Sequence, residues 1–312
     1  MSVAILCSGQ GGQHADMFRL TASDPAAAPI FAQATRLLGF DPRRWIATAD
    51  DDALFANRNA QMLCVVQALC VAAALRPHFP ERICIAGYSV GEMAAWGVAQ
   101  MLPAPTTLEL TLERAASMDD ARQGEQGLLA LRGLSREKVE SLLLSLNADI
   151  AICNPSDSYV VGGTQDALNA LAVTAKAAGA TTVRPLRVHI ASHTCLMSQA
   201  SARFQDALTH VSPSPSGPGV RLLSGVDGNI VLSAGQGTLK LAEQMSHTIH
   251  WEACLRACIE AGCTAFLELG PGRALASMAS EVAPGIPARS VDDFKTLDGI
   301  RTWLSRTTQA GV

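Results

Sequence analysis

Aromatic side chains are scarce in this chain of 312 residues: Phe, Trp and Tyr together make up 4%, and tyrosine occurs twice. No run of Lys and Arg alternates with aromatics, so the pattern that neutralises and stacks a nucleic acid is missing. A formal net charge of -4 likewise offers nothing to nucleic acid or to an anionic membrane. The first residues, MSVAILCSGQGG, lack a basic segment, and their apolar run suits a buried first strand rather than a signal peptide. No apolar stretch of membrane-spanning length is free of charged or turn residues. These absences make a cytoplasmic protein the expectation, with neither nucleic acid nor membrane as partner.

The nine cysteines form no disulfide framework; they are scattered, odd in number, and several lie inside apolar runs such as MLCVVQALCVAAAL. Such thiols behave as small hydrophobes and fit a reducing compartment. Cys254, Cys258 and Cys263 are spaced wrongly for the common zinc sites, and ACLRACIEAGC reads as an amphipathic helix and its end, so no metal is expected.

What is present is a large apolar reserve. Hydrophobic residues make up 48% and charged ones 17%, enough for a sizeable core. Short apolar runs alternate with longer helical patterns, which predicts an α/β fold with a mostly parallel sheet. Strands are expected at 3–7, 83–86, 221–224 and 265–269, and helices at 60–75, 90–100, 106–122, 196–211 and 251–261. Between 127 and 188 the rhythm changes to β-α-β-β-α-β, the order of a ferredoxin-like unit. Ser135 and Thr164 stand where helix N-caps belong and Gly179 where a C′ glycine belongs. The expected organisation is an α/β body at 1–126 and 189–312 carrying an inserted ferredoxin-like subdomain at 127–188. Nothing beyond about residue 284 suggests more than a closing helix or two.

One stretch carries chemistry. IAGYSVGEMAAW contains GYSVG, a match to G-x-S-x-G, with an apolar strand before it and a helix after it. That is the context of a nucleophile elbow, in which Gly87 and Gly91 allow close chain approach and Ser89 is lifted above the sheet. The amide of Val90 would lie at a helix N-terminus, which favours an oxyanion. A second oxyanion donor is expected from GQGGQ (9–13), a glycine-rich loop directly after the first strand. Of seven histidines, His193 lies at the edge of the expected cleft, and His189 competes with it as the base.

Taken together, GQGGQ (9–13), GYSVGE (87–92), the Arg of LERAASM (112–118), NPSDSYVVGG (154–163), ASHTCLM (191–197), the Gln of AEQMSHTIHW (242–251) and ELGPG (268–272) resemble one family from end to end. It is that of the malonyl-CoA:acyl carrier protein transacylases and the related acyltransferase domains of fatty acid and polyketide synthases. The resemblance implies Ser89 as nucleophile and His193 as base. It implies the amides of Gln10 and Val90 as oxyanion donors, and Arg114 as the clamp on the free carboxylate of malonyl. Gln244 would support the histidine through a backbone carbonyl, and Gly9, Gly11, Gly87 and Gly91 would shape the loops. Without the resemblance, Arg114 reads as a surface arginine paired with Glu113 or Asp119. No bound cofactor is implied. The donor is a CoA thioester, malonyl-CoA, and the acceptor a separate acyl carrier protein bearing a phosphopantetheine-type arm, since the chain holds no carrier motif of its own.

Two positions depart from the pattern: Tyr88 replaces the usual histidine before the serine, and Thr248 a proline. A tyrosine at the elbow is similar to the transacylase (epsilon) subunit of malonate decarboxylase, which implies that enzyme's other subunits as partners. Fatty acid or polyketide synthesis stays an alternative setting. Outside transfer, the competing readings are a serine thioesterase or hydrolase, with Asp149 or Asp166 as the acid, and a non-catalytic docking subunit.

Overall fold

A computed structural model describes residues 2–309. Within them the strands are β1 (Ser2–Cys7), β2 (Arg82–Gly87), β3 (Gln126–Arg132), β4 (Ala148–Asn154), β5 (Ser158–Thr164), β6 (Thr182–Pro185), β7 (Val220–Leu222), β8 (Ile249–His250), β9 (Cys263–Glu268) and β10 (Ala288–Ser290). The first sheet has the order β10-β9-β1-β2-β7, and all four pairings are parallel. All six residues of β1 are buried, because it is central and covered on both faces. Its side chains alternate: Val3, Ile5 and Cys7 enter one core, Ala4 and Leu6 the other.

The first core is filled largely by the helix Asn57–Leu75. The span Asn57–His78 is long and apolar enough to cross a membrane, yet 83% of its apolar window is buried within this fold. A helix apolar on every side is what the centre of a large core requires.

The second sheet has the order β6-β3-β5-β4-β8. Its first four strands are antiparallel and follow the ferredoxin-like arrangement expected of β-α-β-β-α-β. Ser135 caps the helix Arg136–Leu143 by accepting from the Lys138 amide, and Thr164 caps Gln165–Ala177 by accepting from Ala167. Gly179 follows that helix in the left-handed region, φ 95°.

Two features depart from the sequence reading. β8 comes from outside residues 127–188 and pairs with β4 in parallel through Ile152 and Cys153. It is two residues long, too short to leave a pattern. Past residue 284 the chain adds the edge strand β10 before the closing helix Leu297–Gln309, and three residues likewise show no alternation.

Leu128, Ile152 and Val160 of the second sheet share a core with Ala4, Leu6 and Trp251, and Ile249 sits at the junction, fully buried. Ile249→Ala should therefore destabilise the protein by about 2–5 kcal/mol. Urea unfolding would read this as a lowered midpoint; an unchanged midpoint would show that β8 does not help hold the sheets together.

Candidate active site

Three loops leave the carboxyl ends of adjacent strands: Ser8–Gln13 after β1, the Tyr88–Val90 turn after β2, and Leu269–Arg273 after β9. In a parallel sheet, this edge is where ligands bind.

The turn after β2 is tight. Ser89 has φ 56°, in the left-handed region that costs a side-chain-bearing residue about 1–3 kcal/mol. The amides of Gly91, Glu92 and Met93 turn back to the carbonyls of Tyr88, Ser89 and Val90, and the helix Gly91–Val98 begins. A methyl group on Gly91 would lie 2.1 Å from the Cys7 carbonyl oxygen, and one on Gly87 2.2 Å from the Glu92 nitrogen. Only glycine allows the turn to press so closely on β1. Gly9 abuts the Tyr88 carbonyl, and Gly11, at φ 118°, donates its amide to the Gln13 side chain. Among the described residues, the amides of Gln10 and Val90 donate to no protein group.

His193, 1% exposed, lies 2.8 Å from the Ser89 hydroxyl through Nε2. It too has a left-handed backbone, φ 64°, pinned by its amide donating to the Met245 carbonyl. Nδ1 lies 2.5 Å from the carbonyl oxygen of Gln244. A carbonyl can only accept, so Nδ1 carries the proton and Nε2 is left bare to take one from Ser89. Asp149 instead accepts from the Cys195 amide, and Asp166 is exposed at a helix start, so neither acid orients this imidazole. His189 is exposed and stands apart from the pair.

Arg114, in the helix Ala104–Ala121, is 1% exposed. It does not make the surface pairs that its neighbours suggested: Glu113 bonds to Arg203, and Asp119 to Asn57. Its Nη1 donates to Gln61 Oε1 at 2.6 Å and its Nη2 to Gln244 Oε1 at 3.1 Å, while Nε has no partner among the described residues. Burial lowers its pKa to about 10, leaving it cationic at neutral pH. A buried guanidinium with a free donor and no carboxylate is arranged to receive an anion.

Gln61 and Glu92 join the site without having been singled out in the sequence. Glu92 is fully buried and accepts from Gln244 Nε2 at 2.9 Å and from the Gly225 amide at 3.0 Å. Burial raises its pKa to about 7. The signal for Glu92 was its place in GYSVGE; Gln61 lay within an apolar helical run and carried none. Tyr88 packs edge-to-face on Trp251, ring centroids 5.3 Å apart.

Two clefts are lined by residues of this region, one reaching the Gln10 loop and the other His193. One, of about 610 Å³, is lined by Gln10, Asn57, Arg58, Arg122, Arg187 and His189. The other, of about 660 Å³, is lined by His193, Thr194, Asp149, Arg136 and His247.

Burial, and then the Arg114 charge, push His193 from its ordinary 6.5 to about 3, against the pull of the Gln244 carbonyl. Because the folded value lies below the unfolded one, this group's contribution to stability is present above about pH 6.5 and is lost as pH falls towards 3. Nitrogen NMR of histidine-labelled protein at about pH 5 should find His193 neutral and protonated on Nδ1. A midpoint near the ordinary value would contradict the buried geometry.

Residues 5–271 match the model of the acyl transferase domain family. The malonyl CoA-acyl carrier protein transacylase of Mycobacterium tuberculosis strain H37Rv is 30% identical over 306 residues, covering 95% of this chain and 98% of that protein. Its counterpart from Synechocystis is 27% identical, covering 96% and 100%. Among solved structures, MCAT from Mycobacterium tuberculosis superposes with a TM-score of 0.87 at 30% identity, covering 96% of this chain and 100% of that one.

Proposed function

The chain belongs to the acyl transferase domain family and is an acyltransferase, and from that premise we propose that it moves a malonyl group from malonyl-CoA to the thiol of a separate acyl carrier protein. The observation that carries the reading is the buried Arg114, cationic and without a carboxylate partner, in a site that also holds Ser89 and His193. The names of the relatives agree with it.

Ser89 Oγ attacks the thioester carbonyl while His193 Nε2 takes its proton. The tetrahedral oxyanion is met by the amides of Gln10 and Val90; losing one such donor costs about 10²–10³ in rate. Collapse expels CoA, whose sulfur takes the proton from His193, and leaves malonyl esterified to Ser89. The carrier thiol then attacks the ester, with His193 again accepting a proton and returning it to Ser89. Throughout, the Gln244 carbonyl holds the imidazole, and Arg114 holds the malonyl carboxylate in a two-bonded fork. A hydrolase would need neither the fork nor a carrier. A docking subunit would not need Ser89 and His193 in contact.

For the setting, we take Tyr88 as the guide and place the chain with the transacylases of malonate decarboxylase, whose carrier bears a CoA-like arm. Fatty acid or polyketide synthesis is the second reading, favoured by the names of the relatives. A panel of purified carriers separates the two, the faster acceptor identifying the machinery.

Intact-protein mass spectrometry after incubation with malonyl-CoA should find a malonyl adduct on the wild type and none on Ser89→Ala. Arg114→Ala should lose about 30-fold to several-thousand-fold in malonyl loading, the cost of removing one partner of a buried charged pair. Its loading from acetyl-CoA should change far less. Release of free malonate without an adduct would move the hydrolase reading ahead.

A further inference from the structure

Among the described residues the buried acidic side chains are Glu92 and Glu268, and the buried arginine is Arg114. Glu268 is occupied elsewhere, accepting from the Ser8 hydroxyl and the Ala276 amide. Glu92 and Arg114 do not touch. Between them lies one carboxamide, that of Gln244, whose Nε2 donates to Glu92 and whose Oε1 accepts from Arg114. The reverse orientation would set an amide N–H against the guanidinium and an amide oxygen against the carboxylate. The two charges therefore fix which way Gln244 points. The same residue supplies the carbonyl that holds His193, and its Nε2 also reaches the Ser89 carbonyl at 3.2 Å.

We propose that Glu92 is a positioning residue and the internal counter-charge of Arg114, and that a substrate carboxylate arriving at Arg114 displaces it from that role by driving a proton onto Glu92. This rests on the malonyl-transfer reading. One buried guanidinium balances one carboxylate; a second anion in the same unhydrated cluster disfavours the charged form of the first. Both donors to Glu92 meet Oε2, and Oε1 has no partner among the described residues. A proton can therefore settle on Oε1 without breaking a hydrogen bond of the network. Accepting an acyl group with a free carboxylate then draws protons from solution near neutrality, and accepting a neutral acyl group draws none.

The groups facing Glu92 leave it as the one that titrates near neutrality. Arg114, from the helix Ala104–Ala121, stays cationic, and His193 is held neutral down to about 3. Asp227, on the loop after β7, is paired with Lys240 and held below the usual carboxylate range. The thiols of Cys7, Cys64 and Cys254, from β1 and two flanking helices, are pushed far up by burial. Glu92 itself is raised to about 7, chiefly by burial. Occupation of Arg114 by a second carboxylate raises it further, so malonyl binding is favoured below about pH 7 and weakens above it.

The test is the KM for malonyl-CoA and for acetyl-CoA between about pH 6 and pH 9, for wild type, Glu92→Gln and Glu268→Gln. A one-unit rise on binding corresponds to about a tenfold increase in malonyl KM across that range. The wild type and Glu268→Gln should show this slope, and Glu92→Gln should be flat. Acetyl KM should be flat in all three. Calorimetry of malonyl-CoA binding to Ser89→Ala in two buffers of different ionisation enthalpy should also register proton uptake near pH 7.5, which keeps the idea testable if Glu92→Gln does not fold. A slope that survives Glu92→Gln, an equal slope with acetyl-CoA, or binding without proton uptake overturns this inference while leaving malonyl transfer standing. No malonyl adduct on the wild type overturns both.

Discussion

The hydrogen bond between His193 Nδ1 and the carbonyl of Gln244 is the contact on which the site depends. It sets the tautomer, and the tautomer decides whether Nε2 can accept from Ser89. The acceptor is neutral, so no carboxylate stabilises an imidazolium, and burial beside Arg114 keeps the ring uncharged. The carbonyl is itself well fixed: Gln244 follows the helix Ala234–Glu243, its amide bonds back to Lys240, and its side chain is fastened at both ends. One residue thus passes the placement of Glu92 and Arg114 on to the imidazole.

The backbone around the pair is strained, and the sheet bears the strain. Ser89 and His193 both adopt left-handed conformations that most side chains avoid. The elbow is held by continuous parallel pairing of β2 with β1 and by the helix Gly91–Val98 pressed against the end of β1. His193 is held by a main-chain bond to the carbonyl of Met245, a buried residue just after the helix Ala234–Glu243. Rigid elements thus impose the backbone angles, and the hydroxyl and imidazole arrive oriented at 2.8 Å.

Much of the fold was legible because its signals are local. β1 and β2 read as apolar runs bounded by glycine, the helix Gly91–Val98 as the segment after a G-x-S-x-G, and Ser135 and Thr164 as caps. β8 and β10 were not legible, since two or three residues carry no period. Around the candidate site, the spacing of GYSVG gave Ser89 a context, whereas nothing local distinguished His193 from His189; that choice came from resemblance. The burial of Arg114 was hidden for a related reason. LERAASMDDA looks like a charged helix face, and only packing against the helices Asn57–Leu75 and Ser198–Thr209 turns Arg114 inward while Glu113 and Asp119 stay near the surface. Long-range packing leaves no mark in a short window of sequence.

Burying an arginine without a carboxylate is costly, because a desolvated charge is stabilised only weakly by neutral donors and acceptors. Gln61 and Gln244 offer oxygens, Met118 a sulfur at 3.3 Å, and Glu92 acts only across the Gln244 amide. The guanidinium is thus held in place but left incompletely neutralised. That incompleteness bears on His193, which the Arg114 charge helps to push down. A substrate carboxylate at Arg114 that replaces the Glu92 charge, rather than adding to it, changes the net charge facing His193 little. The low basicity of the imidazole is then set by burial and by Arg114, whichever carboxylate balances that arginine.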